Sequence, residues 1–191
     1  MAGGCNGGRT EIFFMVKKLL AFVGVLHWSL FVSAAADTNS LAKELEPLRP
    51  FIGKTWKAHF KDSTPERPRV DVSRWERALN GKGVRILHSV NDGSYGGESI
   101  IVWNGKSEQL EFHYFTTAGF TTQGTMKVDG KKLITRETVS GGGDTTEVEA
   151  TTELLPDGKM RVSAQYFKNG QKTGGREMVY EEAPNAQVVF R

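Results

Sequence analysis

Cysteine is almost absent from this sequence: Cys5 is the only one among 191 residues. A disulfide within the chain is therefore excluded, and so are metal centres that need several thiolate ligands. Cys5 also lacks the apolar lead-in of a lipoprotein cysteine, because only Met1–Gly4 precede it. The folded part must be stabilised by its hydrophobic core, for which a domain of about 155 residues is long enough.

The chain also lacks a strong excess of charge of one sign. Its formal net charge of +3 falls to about +1 once Arg9, Glu11, Lys17 and Lys18 are removed with a predicted N-terminal leader. Basic residues form no cluster of the kind that nucleic-acid-binding proteins carry. The sequence therefore predicts no nucleic-acid partner.

Recognisable catalytic motifs are missing as well. The sequence has no Gly-x-Ser-x-Gly elbow, no His-Glu-x-x-His run, no phosphate-binding loop and no dinucleotide fingerprint. We assign no catalytic residue from the sequence, and the protein is more consistent with a binding function than with an enzyme.

No apolar run reaches the roughly 20 residues that a membrane-spanning helix needs. The longest one, Leu19 to Val32, follows Lys17 and Lys18 and ends at Ser33-Ala34-Ala35-Ala36, which is the pattern of a secretory signal peptide. We interpret residues 1–14 as a mis-annotated extension before the initiator Met15, residues 15–36 as the signal peptide and residues 37–191 as one domain. A retained membrane anchor is the alternative. Export without disulfides suits a bacterial periplasm or the extracellular space.

What the mature chain has in abundance is turn signals at nearly even spacing. Gly, Asn and Asp tolerate the positive φ angles of tight hairpins. Such residues recur every 12 to 15 positions or so, at Asn80-Gly81, Asn91-Asp92-Gly93, Asn104-Gly105, Ala118-Gly119, Asp129-Gly130, Gly141-Gly142-Gly143, Pro156-Asp157-Gly158 and Asn169-Gly170. Regular reversals without long helical stretches predict an antiparallel meander that closes into a barrel.

About ten segments between these turns have a strand-like pattern of alternation. They are residues 55–61, 70–79, 84–90, 98–103, 109–117, 120–128, 132–139, 146–154, 160–167 and 176–182. A short helix before them is predicted from Leu41, Leu45 and Leu48, with Ser40 as its cap and Pro50 as its end. The predicted fold is all-β: a single antiparallel up-and-down barrel of about ten strands behind a short N-terminal helix.

Several motifs resemble the calycin-like group, which comprises lipocalins, fatty-acid-binding proteins, nitrobindin-type haem barrels and secreted bacterial barrels of unknown function. They are residues 48–56, where a helix runs into Gly53 and Trp56, and residues 75–81, 101–104 and 115–120. Lipocalins have one residue between that Gly and Trp, whereas this chain has two. Nitrobindin-type barrels hold haem through a histidine late in the chain, and no histidine follows His113. We therefore expect no haem and no other cofactor.

The predicted inward faces carry many small residues, so that a ten-stranded barrel should enclose a ligand cavity. We expect a small, largely apolar ligand, with Trp56, His88, Tyr166 and Tyr180 as ligand-binding residues. His88 alternates with Val84, Ile86 and Val90 and should point inward, where it could bind a polar head group or serve as an acid or base. The alternative is a hydrogen-bonded core histidine, although the sequence identifies no partner for it.

Other polar groups and functions stay open as alternatives. Glu111 and His113, with His59, could suggest a metal site, but they fall on the polar face, and we predict no metal. A cavity isomerase or hydrolase could use His88 with a carboxylate such as Glu76 or Glu98. An envelope protein-interaction module would instead have a filled interior, and a homodimer is a further alternative. After signal cleavage, no stable membrane span is expected.

Overall fold

The computed structural model describes residues 39–191, and the predicted signal peptide and N-terminal extension lie outside them. Ten strands form a closed antiparallel barrel in which each strand pairs with its neighbours in sequence and β1 pairs with β10. The strands are β1 (Thr55–His59), β2 (Val70–Ala78), β3 (Gly83–Val90), β4 (Tyr95–Asn104), β5 (Gln109–Thr116), β6 (Thr121–Asp129), β7 (Lys132–Ser140), β8 (Glu147–Leu154), β9 (Met160–Lys168) and β10 (Gln171–Glu182). This architecture confirms the predicted all-β, ten-stranded barrel.

The turns lie where the sequence placed them, and their backbone explains the residue choice. Asn169 and Gly170 alone connect β9 to β10, and both have positive φ angles, of 51° and 77°. Two successive left-handed residues give the hairpin the twist that antiparallel strands require. Between β2 and β3, and between β3 and β4, the reversals are short 3₁₀ turns, Leu79–Gly81 and Asn91–Gly93.

The N-terminal helix is a 3₁₀ helix, Lys43–Phe51, which contains Pro47 and Pro50. A 3₁₀ helix has three residues per turn, so Leu45, Leu48 and Phe51 lie on one face, and all three are buried. The predicted cap and end were wrong: the N-cap is Ala42, not Ser40, and the helix continues through Pro50. Among residues 39–191, no helix is long and apolar enough to cross a membrane.

This helix packs across the end of the barrel where β2 passes into β3. The ring of Phe51 stacks on Trp75 with 4.9 Å between centroids, and the amide of Ala42 donates to the carbonyl of Gly81. The buried face of the helix joins a core that includes Trp56, Leu110, Met126, Leu133, Met160 and Met178. One end of the barrel is thus filled with side chains, and the remaining interior, which we describe as above Trp75, lies between Trp75 and the other end.

Candidate functional site

The interior above Trp75 is a cavity of about 410 Å³. That volume is within the range of small-molecule sites, roughly 300–1,000 Å³. The walls from β8 and β9 are mostly apolar and include Val148, Ala150, Met160, Val162 and Ala164. Ala150 and Ala164 among them leave space that larger side chains would occupy, and an interior cavity is what the sequence predicted.

Opposite these walls lies a continuous polar network centred on His88. Its Nδ1 lies 3.1 Å from Oδ1 of Asp71, and its Nε2 lies 2.7 Å from the hydroxyl of Tyr114. The hydroxyls of Tyr114 and Tyr95 are 2.8 Å apart, and the hydroxyl of Tyr180 donates to Oδ2 of Asp71 at 2.7 Å. All five side chains line the cavity. We call Asp71, His88, Tyr95, Tyr114 and Tyr180 the polar network.

The hydrogen bonds determine which proton sits where in this network. An ionised carboxylate only accepts, so Nδ1–H of His88 donates to Asp71, and in the neutral imidazole Nε2 then accepts from Tyr114. Tyr114 in turn accepts from the hydroxyl of Tyr95.

Burial keeps the tyrosines of this network in their neutral, proton-donating form. It raises the pKa of Tyr114, Tyr95 and Tyr180, and for Tyr180 the neighbouring Asp71 carboxylate adds to the effect. For Tyr114 the neighbouring Tyr95 contributes as well. The network therefore presents hydroxyl groups, and not phenolates, to a cavity occupant.

Strand alternation and one glycine place the network. Asp71, Ser73 and Trp75 alternate along β2 with their side chains turned inward and almost completely buried. On β4, Gly97 leaves the space that Tyr114 occupies, because a Cβ there would lie 2.4 Å from a carbon of the Tyr114 ring. The absence of a side chain at Gly97 thus lets Tyr114 reach His88.

A second polar group, Glu137 on β7, also lines the cavity. Its two carboxylate oxygens accept from the hydroxyls of Thr122, at 2.7 Å, and Thr135, at 3.3 Å. Burial raises the pKa of Glu137 in spite of these hydrogen bonds and of the nearby positive charge of Arg176. The site thus favours the neutral form of this carboxyl more than water does.

Three of the four predicted ligand-binding residues, His88, Tyr166 and Tyr180, line one cavity. Trp56 does not line it: its side chain is fully buried in the core, 6.4 Å from the ring of Phe51. Residue 56 is the second residue of β1, whose inner face meets the N-terminal helix, and the alternation pattern alone does not show this. A ligand contact for any of the four stays a prediction.

The carboxylate partner of His88 is Asp71, and neither Glu76 nor Glu98, which were named only for the alternative of a cavity enzyme. Those two glutamates lie on the outer face of β2 and β4, where they pair with arginines; Arg85 Nη2 is 2.7 Å from Glu98 and Arg74 Nε is 2.7 Å from Glu76. Sequence reasoning missed Asp71, Tyr95 and Tyr114 as site residues. Asp71 lies on a strand with charges on both faces, and β4 begins three residues before the segment that the alternation predicted.

The residues considered for a metal site do not converge. Glu111 accepts hydrogen bonds from Asn104 and Ser107, and His113 stacks on Phe115 at 6.4 Å. Within residues 39–191, no group of three histidine or acidic side chains is arranged to hold a metal ion.

The crystal structure of Rv2717c from M. tuberculosis is similar to this one. The two chains are 16% identical, with a TM-score of 0.56, and the similarity covers 75% of this chain and 99% of the other. At this identity the likeness establishes the fold alone. The protein is a closed β-barrel of that general type. No family model matches the chain, and no curated protein matches it significantly.

Proposed function

We propose that this protein is an exported, calycin-like barrel that binds a small, largely apolar molecule in its cavity. The observation that carries the proposal is the cavity itself, which combines apolar walls on β8 and β9 with one polar network on the opposite side. Burial of apolar ligand surface contributes roughly 25 cal/mol per Å². The hydroxyl groups of Tyr95 and Tyr114 would orient a polar end of the ligand.

Native mass spectrometry of the protein purified from its own host, beside a denatured sample, tests this function. We expect an additional mass that denaturation releases. Ala150→Leu fills part of the cavity from β8 and should lower the liganded fraction, whereas Thr151→Leu, on the outer face of the same strand, should not. A bare protein mass for the wild type and both variants would contradict the proposal.

Export rests on the leader sequence and has its own test. The intact mass of the protein isolated from the periplasm or the medium should correspond to a chain beginning after Ala34 or Ala36. A mass that includes Met1 or Met15 would contradict cleavage at this site.

A second candidate function is proton transfer, which the Asp71–His88–Tyr114 hydrogen bonds favour. A carboxylate that holds an imidazole, with the imidazole in contact with a hydroxyl, is the arrangement of general acid–base sites. The side chain of His88 is 15% exposed, although both of its nitrogens are already hydrogen-bonded. Exchange of the α-hydrogens of 2-decanone in D₂O, followed by NMR, tests it: His88→Ala should abolish exchange, whereas His113→Ala, at an exposed histidine of β5 outside the cavity, should not.

The cavity argues against the interaction module with a filled interior. That hypothesis required side chains to occupy the space between the strands, whereas about 410 Å³ is left open. Light scattering would address the homodimer separately.

A further inference from the structure

Arg176 is a cationic side chain in the cavity that the polar network does not use. It precedes Met178 and Tyr180 at alternate positions of β10, both buried, and its Cα partner on β9 is Ala164. Arg176 lines the cavity and also borders a groove between β1 and β10. These two strands pair only at Trp56–Glu182 and Lys57–Glu181, and the groove lies where they diverge. Arg176 is therefore reachable both from the cavity and from a gap in the barrel wall.

No residue of the described chain neutralises Arg176 by direct contact. Among residues 39–191 it makes no ion pair and no side-chain hydrogen bond, whereas Arg85 and Arg161 each contact a glutamate within 2.7 Å. The two inward carboxylates are already engaged, Asp71 by His88 and Tyr180, and Glu137 by two threonines. Arg176 is accessible to solvent, and none of its guanidinium N–H donors is taken by a carboxylate of the described chain, so the side chain is free to bind an anion in the cavity.

A second unused donor lies close to this guanidinium. The hydroxyl of Tyr166 lines the cavity and makes no hydrogen bond within the described chain. Burial acts against the charge of Arg176, but acidic groups around it, Asp71 among them, more than offset this, and the net effect raises its pKa. Arg176 is thus a permanent cation, and the Tyr166 hydroxyl is a second donor available to a cavity occupant.

We propose that the ligand is a monocarboxylate with an apolar body, and that the guanidinium of Arg176 binds its carboxylate. This inference rests on the proposed binding function and specifies the class of ligand. A guanidinium can donate two parallel hydrogen bonds to one carboxylate, a geometry that a lysine cannot match. The apolar walls of β8 and β9 lie beside β10, where they would contact the body of the ligand.

Isothermal titration with decanoate and with 1-decanol tests the proposal, because the two probes share the apolar chain and differ in charge. Wild-type protein should bind decanoate at least about tenfold more tightly than decanol, since charge-assisted hydrogen bonds from the guanidinium to the carboxylate contribute at least that much. Arg176→Gln should weaken decanoate binding by at least about tenfold and leave decanol binding unchanged. Arg136→Gln is the matched control: Arg136 is 78% exposed on β7 and pairs with Glu149.

The outcomes separate the ligand class from the binding function. Equal affinity of the wild type for both probes, or equal effects of Arg176→Gln on both, would overturn the assignment of Arg176 and leave the binding barrel standing. Failure of both probes to bind would overturn the two proposals together. If circular dichroism shows that Arg176→Gln does not fold, two other measurements test the assignment: the preference of the wild type for decanoate over decanol, and the binding of both probes by Arg176→Lys. The lysine variant should keep selectivity for decanoate while losing part of its affinity.

Discussion

Removing the hydroxyl of Tyr180 should destabilise the fold measurably, although the change is a single oxygen atom. That hydroxyl donates to Asp71 Oδ2 at 2.7 Å, and the exposed fractions of the two residues are 4% and 2%. In Tyr180→Phe, the Asp71 carboxylate keeps the hydrogen bond from His88 and loses the one from Tyr180, at an almost completely buried position. A hydrogen bond to a charged group contributes about 1.5–3 kcal/mol.

The size of this effect can be compared directly with that of a second tyrosine in the cavity. Tyr166→Phe removes a hydroxyl that has no hydrogen-bond partner among the described residues, so its free energy of unfolding should change by less than about 0.5 kcal/mol. For a domain of this length, 1 kcal/mol corresponds to a shift of roughly 2–4 °C in Tm. Tyr180→Phe should therefore lower Tm by roughly 3–12 °C.

Urea unfolding followed by tryptophan fluorescence measures both variants, because Trp56 and Trp75 are buried in the core. The midpoint should fall for Tyr180→Phe at an unchanged slope, which indicates a loss of stability without a change in the surface exposed on unfolding. Equal midpoints for Tyr180→Phe and Tyr166→Phe would refute the argument that the Asp71–Tyr180 hydrogen bond stabilises the barrel.

Three further predictions concern the rest of the site and the closed end of the barrel. Gly97→Ala should lower the free energy of unfolding in urea by about 1–3 kcal/mol, because its Cβ would lie 2.4 Å from both the Tyr114 ring and the Phe115 carbonyl. Gly105→Ala is the control, because a Cβ there would have no atom within 4 Å. Equal losses of stability at the two sites would contradict the steric argument. Glu137→Gln should become more stable relative to wild type as the pH rises above 4.5. The pKa of Glu137 is raised in the folded state, so the stability contributed by its proton is present below the unfolded-state pKa and is lost as the pH rises through the folded-state pKa. A difference in Tm between the two proteins that is constant from pH 4 to 8 would contradict this. Leu48→Ala, at a fully buried position of the N-terminal helix, should cost about 2–5 kcal/mol by the same urea assay, and a loss below 1 kcal/mol would mean that the helix contributes little to the core.

The strand pattern could be predicted because its determinants are local. Asn169-Gly170 and the other turn residues adopt backbone angles that few residues tolerate, and they fall at the reversals whatever lies elsewhere in the barrel. The alternation of residues along β8 and β9 puts Val148, Ala150, Val162 and Ala164 on one face, and all four line the cavity. The ends of the strands were less well predicted: β10 begins at Gln171, five residues before the predicted start.

The composition of the polar network could not be predicted because its members are distant in sequence. Tyr180 meets Asp71 across 109 positions, and Tyr114 meets His88 across 26. A carboxylate on a strand such as β2 normally belongs on the wet face, and only donors supplied by β3 and β10 allow Asp71 to be buried. Closure of the barrel therefore decided the partner of His88.

By itself, the sequence determined the barrel: turn residues at regular intervals and alternating faces require only neighbouring residues to act. It also determined that His88 points inward, because a strand has a period of two. The tertiary structure alone decided that Trp56 lies in the core beside the N-terminal helix, that Asp71 holds His88, and that Arg176 has no ionic partner among residues 39–191. Each of these depends on which strands meet around the cavity, and strand closure is a property of the whole chain.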